Sequence, residues 1–170
     1  MVAIGGLSGT GKSLLARALA PRFHPLPGAV VLRSDVERKA LLGLDETEKL
    51  PEAAYTTDAT AKVYAALAEK ARRVVSAGHS VIVDAVFAKP GERAEIARIA
   101  PDIFEGIFLT AELETRLARV RSRSGDASDA DAIIARGQEK FDLGTVKWAK
   151  VEASGTPEET LIRAEAMLER

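Results

Sequence analysis

Short runs of apolar residues alternate with longer stretches of helical periodicity along the whole chain. The runs are bounded by turn residues and have the length of buried strands. There are five of them, at residues 2–4, 29–32, 80–83, 103–109 and, more weakly, 149–152. Strands that alternate with helices indicate βαβ units with right-handed crossovers and a mostly parallel sheet. The pattern therefore predicts a three-layer α/β/α sandwich that forms a single domain over residues 1–170.

Helix boundaries follow from capping residues, glycines and prolines. Pro21 ends the first helix, which starts at Lys12. Ser34 and Glu37 have the spacing of a capping box, and Gly78 is suited to end a long third helix. The seven helices are expected from residue 12 to 20, from 34, from 55 to 77, from 89 to 100, from 111 to 123, from 128 and from 156.

Composition narrows the class of protein. The 170 residues carry a formal net charge of −1 and contain no cysteine and two histidines. The near-neutral charge argues against a dedicated nucleic-acid binder and against a partner of anionic membranes. Disulfides and thiolate metal sites are excluded. Because neither a signal peptide nor a long apolar span is evident, we expect a cytoplasmic protein without membrane contact, or one domain of a longer polypeptide.

The strongest chemical signal lies directly after the first strand. Residues 6–13 read GLSGTGKS and match G-x-x-x-x-G-K-[ST] between a strand and a helix. Glycines let successive backbone N–H groups converge on phosphate oxygens at the positive end of a helix. Lys12 adds a charge for the β- and γ-phosphates, and Ser13 adds a hydroxyl for Mg²⁺. The expected nucleotide-binding residues of this phosphate loop are Gly6, Ser8, Gly9, Thr10, Gly11, Lys12, Ser13 and Leu14.

An acid and an arginine follow the second strand. Asp35 and Arg38 are separated by one helical turn and share a helix face. In one hypothesis, Asp35 is a base that orients an acceptor hydroxyl towards the γ-phosphate, while Arg38 anchors the acceptor or the transferred phosphate. In the other, Asp35 interacts with the helix dipole and pairs locally with Arg38. The neighbouring phosphate loop favours the first hypothesis.

Asp84 ends the apolar run of the third strand, as in a Walker B motif. A carboxylate there can hold a magnesium-bound water or the acceptor, although a lone Asp at a strand end also caps loops. Ala85 follows it, at the position where motor ATPases commonly have a water-activating glutamate. We therefore predict that Ser13 and Asp84 bind the metal and that the chemistry is phosphoryl transfer rather than mechanical work.

The fifth helix carries arginines beside an apolar stripe of Leu113, Leu117 and Val120, which is expected to be buried. Arg116, Arg119 and Arg123 gather on one face. Arg119 and Arg123 lead into a turn-rich segment suited to a lid, around residues 121–140, that closes over the triphosphate. Arg119 is therefore also expected to contact the nucleotide, whereas Arg116 is expected to face the solvent.

Other residues are weaker candidates. Four residues at the start of the third helix are considered for an acceptor pocket: Tyr55, Thr56, Thr57 and Tyr64. A tyrosine such as Tyr64 is more often part of the core. Gln138 and Lys140 are expected on a solvated face of the sixth helix, with membership of a moving lid as the weaker alternative. His24 and His79 are expected at the surface, and Trp148 in packing next to the last strand.

Several motifs together resemble a known group of proteins. They are GLSGTGKS, RSDxxRK at 33–39, GHSVIVDAxF at 78–87, Arg119-x-x-x-Arg123, and Ser128-Asp129-Ala130 followed by Gln138. The chain is similar to small P-loop kinase-like ATP-binding domains of the AAA type, including those found after aminoglycoside-phosphotransferase-like domains in bacterial proteins. This group looks like a branch of the nucleoside-kinase-like fold, which also contains gluconate and shikimate kinases, zeta-type toxin kinases, chloramphenicol phosphotransferase and polynucleotide kinases.

The resemblance implies a five-stranded parallel sheet in the order 2-3-1-4-5 and Mg-ATP as phosphate donor. It also implies that Asp35 is the base, and that Arg38 matches an arginine of the polynucleotide kinases. No second-region signature of a hexameric motor is evident. The acceptor is not identified by the resemblance.

Three hypotheses for the function remain. The first is an ATP- and Mg²⁺-dependent kinase for a hydroxyl of a small molecule, with Lys12, Asp35, Arg38, Arg119 and Arg123 as catalytic residues. The alternative is a nucleotide-binding regulatory module that serves a fused or partner domain. A third, a kinase for 5′-hydroxyl ends of nucleic acid, is disfavoured by the charge balance.

Overall fold

One parallel sheet contains all five expected strands. The computed structural model describes residues 1–122 and 132–168. The strands are, in chain order, β1 (Val2–Gly6), β2 (Val30–Arg33), β3 (Val81–Asp84), β4 (Glu105–Thr110) and β5 (Ala149–Glu152). Their order across the sheet is β2-β3-β1-β4-β5, and every neighbouring pair is parallel. The predicted α/β class and the predicted strand order are confirmed.

Helices cover both faces of the sheet. In the described ranges they are α1 (Lys12–Leu19), α2 (Ser34–Leu41), α3 (Thr57–Ser76), α4 (Pro90–Ala97), α5 (Leu113–Ser122), α6 (Ala132–Gly137) and α7 (Pro157–Leu168). Buried residues of α3 and α4 form one core cluster with β1 and β3. Buried residues of α1 and α7 form a second cluster with strands from across the sheet. The molecule therefore has the three layers that the alternation of strands and helices predicts.

Some element boundaries differ from the prediction. The fourth strand begins at Glu105 rather than Ile103, because a short 3₁₀ turn, Pro101–Ile103, precedes it. The predicted capping box at Ser34 is wrong: Ser34 is the first residue of α2, and Arg33 in extended conformation is its N-cap. Glu37 is buried and accepts a hydrogen bond from Lys70 of α3 instead. The expected helix start at residue 128 lies outside the described residues.

Trp148 packs across the sheet just before β5, as predicted. Its ring contacts Phe87 and Phe104, with centroid distances of 5.1 and 5.7 Å. The ring lies directly over Gly106 of β4, where a Cβ atom would be only 2.4 Å from Trp148 Cγ. Glycine is needed at this position because no other residue leaves room for the indole ring.

The strand register brings the candidate residues together. Asp84 at the end of β3 pairs with Ile4 of β1 on one side and with Arg33 of β2 on the other. Each of these strands ends at the same edge of the sheet, where ligands bind in open α/β folds. The phosphate loop, the start of α2 and Asp84 therefore meet at one place. No helix in the described ranges combines the length and apolar character that a membrane crossing requires.

Candidate active site

A large cavity opens at the carboxyl edge of the sheet. Its volume is about 1580 Å³, and it is lined by residues from the phosphate loop, α1, α2, α3, α5 and the segment around α6. The predicted residues among its lining are Ser8, Gly9, Thr10, Gly11, Lys12, Ser13, Leu14, Asp35, Arg38, Asp84 and Arg119. The structure thus gathers most of the predicted site around one space.

The phosphate loop has the backbone conformation that anion binding requires. Gly9 and Gly11 have φ angles of 85° and 95°, in the left-handed region that glycine favours. Gly9 is also packed against α5: a Cβ atom there would be 2.6 Å from the Arg116 carbonyl oxygen. Among the described residues, the backbone N–H groups of Gly9, Gly11 and Ser13 have no acceptor. These groups border the cavity and are available to an anion.

Lys12 and Ser13 begin α1 with their side chains held in place. The Lys12 ammonium donates a hydrogen bond to the Leu7 carbonyl oxygen, at 3.1 Å. Ser13 Oγ donates to Asp84 Oδ2 at 2.5 Å, and Arg33 Nη2 donates to Ser13 Oγ at 3.1 Å. The sequence analysis did not predict the hydrogen bond from Arg33 to Ser13. Arg33 reaches Ser13 because it lies beside Asp84 in the sheet register.

Asp84 is a buried carboxylate in a mixed electrostatic environment. Only 4% of it is exposed. Burial raises the pKa of the Asp84 carboxyl, while Lys12, the hydrogen bond from Ser13 and Arg33 act to lower it. Such a buried carboxyl favours a nearby cation, because a positive charge offsets the cost of removing the carboxylate from water.

Asp35 and Arg38 both line the cavity, but they do not pair with each other. Arg38 is 8% exposed, and its Nη1 donates to the Ala54 carbonyl oxygen at 2.7 Å. The guanidinium also lies over the ring of Tyr55, at 5.1 Å from the centroid. No ion pair joins Arg38 to Asp35, and Arg38 Nε has no hydrogen-bond partner in the described part of the chain. The hypothesis that Asp35 pairs locally with Arg38 therefore does not explain why Arg38 is buried at this position.

Arg116 is buried, so the expectation that it faces the solvent is wrong. Its exposed fraction is 2%. Nε donates to the Ser8 carbonyl oxygen at 2.9 Å, Nη2 donates to the Ala135 carbonyl oxygen at 3.1 Å, and Nη1 pairs with Glu139. Arg116 therefore ties the phosphate loop to α6 and the 3₁₀ turn that follows it (Gln138–Lys140).

Arg119 lies at the wall of the cavity and holds the loop between β5 and α7. It donates to the carbonyl oxygens of Ala153 and Gly155, each at 2.7 Å. Arg123, the second predicted lid arginine, lies outside the described residues, as does most of the first half of the predicted lid.

Gln138 is the second residue that the sequence analysis misjudged. It was expected on a solvated face, but it is 8% exposed, and its Oε1 accepts a hydrogen bond of 2.7 Å from the Ser8 N–H. No signal in the sequence points to this contact, because Ser8 lies 130 positions away along the chain. Lys140 is exposed and lines the cavity.

The tyrosine candidates have two different surroundings. Tyr64 belongs to both the core and the cavity: its ring packs on Phe87, and its hydroxyl accepts a hydrogen bond of 2.9 Å from the Phe87 N–H. Burial raises the pKa of the Tyr64 hydroxyl, and its hydrogen bond with the Glu92 side chain acts in the same direction, so the hydroxyl stays protonated. Tyr55 and Thr57 line the cavity, whereas Thr56 caps α3 by accepting from the Ala59 N–H. His24 and His79 are exposed, as expected.

The described residues contain no group of three or more His, Cys, Asp or Glu side chains that could hold a metal ion. A cation at this edge of the sheet would therefore have few ligands among these residues. Mg²⁺ commonly binds in this way, through one or two side chains, substrate phosphates and several waters.

The fold and the site together define a P-loop kinase-like domain. A family model described as AAA domain matches residues 1–143, and the chain belongs to this family. The uncharacterized protein Rv2004c of Mycobacterium tuberculosis is 35% identical over 139 residues, and a Mycobacterium bovis protein, Mb2027c, is equally similar. The match covers 78% of this chain but only 27% of each relative, so the chain spans about a quarter of their length.

Solved structures share the fold at low sequence identity. A gluconokinase from Sinorhizobium meliloti has a TM-score of 0.72 and 22% identity, covering 99% of this chain and 91% of its own. The Mycobacterium tuberculosis APS kinase CysC, in complex with AMPPNP and APS, has a TM-score of 0.68 and 21% identity, and the match covers 99% of this chain and 96% of the kinase. A shikimate kinase from Bacteroides thetaiotaomicron has a TM-score of 0.69, 12% identity and coverages of 99% and 98%.

Proposed function

We propose that this domain is an ATP- and Mg²⁺-dependent phosphotransferase that acts on a hydroxyl group of a small molecule. The observation that carries the proposal is the convergence on one cavity of a phosphate loop, the Ser13–Asp84 pair and Asp35. The three structural neighbours named above are small-molecule kinases by their descriptions, and they support the same class of reaction.

The nucleotide would occupy the part of the cavity next to α1. Backbone N–H groups of Gly9, Gly11 and Ser13 and the Lys12 ammonium would bind the phosphates. Leu14 is 48% exposed and lies in the cavity lining with Arg119 and Pro157. An apolar side chain, a proline ring and a planar guanidinium suit the flat faces of a nucleobase. This end of the cavity would therefore hold the base.

The side-chain oxygens of Ser13 in α1 and Asp84 at the end of β3 fit a magnesium ion. Ser13 Oγ and the Asp84 carboxylate lie within hydrogen-bond distance of each other and border the cavity, and Mg²⁺ prefers such oxygen ligands. Ser13 and Asp84 would hold the ion, with Asp84 bound directly or through a water. When bound, the ion would neutralise charge on the β- and γ-phosphates.

Asp35 and Arg38 would serve the acceptor. Asp35 is half-buried at the start of α2. It would accept the proton of the attacking hydroxyl as the bond from that oxygen to the γ-phosphorus forms and the bond from the γ-phosphorus to the bridging oxygen of ADP breaks. Arg38 is a buried cation without a carboxylate partner among the described residues, so it would bind an oxygen-rich part of the acceptor. Arg123 would stabilise charge on the transferred phosphoryl group from the lid. The Arg119 guanidinium, which binds the carbonyl oxygens of Ala153 and Gly155, would contact the base instead.

A transfer screen with γ-labelled ATP tests the proposal. The acceptors are sugars, nucleosides, aminoglycosides and 5′-hydroxyl oligonucleotides, compared for wild type and Asp35→Asn. We expect a labelled product whose rate falls by about 10²- to 10⁴-fold in the variant, because general base catalysis contributes that much, while ATP affinity is kept. Asp102→Asn is the matched control, since Asp102 is exposed and lies next to the opposite end of β4.

A regulatory nucleotide-binding module is the second candidate. It is favoured by the relatives, whose lengths are several times that of the matched region. In that case the domain would bind ATP and act on a fused or partner domain, and Asp35→Asn would leave its nucleotide response unchanged. Labelled oligonucleotide as the only product would instead support a 5′-hydroxyl nucleic-acid kinase. Absence of both transfer and ATP binding in wild type would overturn the proposed function.

A further inference from the structure

The side-chain amide oxygen of Gln138 accepts a hydrogen bond from a backbone N–H group of the phosphate loop. Ser8 N–H donates to Gln138 Oε1 at 2.7 Å across 130 residues of sequence, and both residues are about nine-tenths buried. The hydrogen bond assigns the orientation of the amide, since only its oxygen can accept from an N–H group. Among the described residues the amide nitrogen of Gln138 has no acceptor, and the side chain borders the cavity.

Ser8 is held at its other backbone group as well. Its carbonyl oxygen accepts from Arg116 Nε at 2.9 Å, and Arg116 also binds the Ala135 carbonyl oxygen and pairs with Glu139. Both backbone polar groups of Ser8 are therefore bound by side chains, the N–H group by Gln138 and the carbonyl oxygen by Arg116. Gln138 fixes the Leu7–Ser8 peptide unit and Arg116 fixes the Ser8–Gly9 unit, so neither unit can rotate without breaking a buried hydrogen bond.

Ser8 directly precedes Gly9, whose N–H group is one of those available to an anion. That group belongs to the Ser8–Gly9 peptide unit, which Arg116 holds directly and which Gln138 supports by fixing the Leu7–Ser8 unit before it. A neutral amide is well suited here, because a carboxylate of the same shape would add a negative charge beside the phosphates. The geometry explains why glutamine at this position can hold the loop without repelling the nucleotide.

We propose that Gln138 is a positioning residue for phosphoryl transfer, which acts through the Ser8 N–H to hold the phosphate loop in its reactive conformation. The inference rests on the proposed function, because the phosphoryl group that the loop positions is that of ATP. It gives the 3₁₀ turn Gln138–Lys140 a direct role in setting the reaction geometry. A misplacement of about 1 Å in such a site can lower a rate by roughly 100-fold.

The test compares Gln138→Met, which keeps the length but loses the acceptor, with Gln138→Glu, which keeps the acceptor and adds a charge. The first measurement is hydrogen exchange of the Ser8 amide by NMR. The second is the rate of ADP formation from Mg-ATP with water as acceptor, which needs no knowledge of the natural substrate. Arg136→Gln is the matched control, since Arg136 is exposed on the neighbouring helix turn.

In Gln138→Met we expect exchange at Ser8 to accelerate on the order of 10-fold and kcat to fall by about 100-fold, with ADP affinity within roughly threefold of wild type. In Gln138→Glu we expect slow exchange and a kcat near wild type at saturating ATP, with a raised KM. Rapid Ser8 exchange in wild type, an unchanged kcat in Gln138→Met or equal kcat losses in both variants would overturn the inference. A wild-type protein that neither binds nor hydrolyses ATP would instead refute the proposed function, and with it this role of Gln138.

Discussion

Arg116 illustrates how a buried cation is stabilised by backbone groups as much as by charge. The guanidinium donates to two carbonyl oxygens and pairs with Glu139, which itself is 44% exposed at its side chain. Because one end of the ion pair remains in contact with water, the desolvation cost is smaller than for a fully buried pair. The fixed, forked geometry of arginine lets one side chain reach the phosphate loop and α6 together.

Arg116→Met is therefore expected to lower the free energy of unfolding by about 2 kcal/mol, since it leaves the buried carbonyl oxygens of Ser8 and Ala135 without this donor. Urea denaturation measures the change. Arg121→Met on the same helix is the control: Arg121 is exposed, and its replacement should change stability by no more than about 0.5 kcal/mol. Equal effects of the two substitutions would contradict the assigned contacts of Arg116.

The difference between Arg116 and its predicted position shows a limit of helical periodicity. The pattern correctly identifies Leu117 and Val120 as buried, and it assigns the arginines to another face. It contains no information on what that face meets. Arg116 is buried because the phosphate loop and α6 cover it, and both are distant in sequence. The burial of Gln138 could not be predicted for the same reason, because its partner Ser8 lies 130 positions away.

The phosphate loop is the element in which sequence and structure agree best. Its glycines, lysine and serine are neighbours in the chain, so their chemistry can be predicted without knowing the fold. The ends of β2 and β3 are the next most predictable, because parallel strands bring their carboxyl ends to one edge. The Ser13–Asp84 hydrogen bond follows from that rule, whereas the contact of Arg33 with Ser13 needed the actual register.

Gly9→Ala tests whether the phosphate loop needs the left-handed conformation and the close packing against α5. The φ angle of 85° is strained for alanine, and the new Cβ would be 2.6 Å from the Arg116 carbonyl oxygen, a backbone atom that cannot move aside alone. We expect a loss of about 2 kcal/mol in stability and a weaker affinity for ATP, measured by thermal denaturation and calorimetry.

Gly91→Ala is the matched control for that substitution. Gly91 lies in α4, and a Cβ there meets nothing within 4 Å. Alanine should raise stability by about 0.5 to 1 kcal/mol through its higher helix propensity. If Gly9→Ala were as well tolerated as Gly91→Ala, the close packing of the loop against α5 would be refuted.

At the scale of the whole molecule, the cavity is lined by parts of the chain that are far apart in the sequence. Its lining includes residues from the first third of the sequence, such as Lys12 and Asp35, and residues from the last third, such as Gln138 and Pro157. A ligand that fills this space contacts both groups at once. The free energy of binding therefore adds directly to the stability of the folded state, because the unfolded chain has no such site.

ATP with magnesium should accordingly raise the melting temperature of the whole protein. At a free concentration of about 100 times Kd, the stabilisation is about 2.7 kcal/mol, and for a chain of this length it corresponds to a shift of roughly 5 to 10 °C. Lys12→Ala should abolish most of the shift because the charge opposite the phosphates is lost, whereas Lys62→Ala, at an exposed position of α3, should retain it. Differential scanning fluorimetry over a series of ATP concentrations measures the effect. A shift in Lys12→Ala equal to that of wild type would show that ATP binds without the phosphate loop, and its absence in wild type would show that the cavity does not bind ATP.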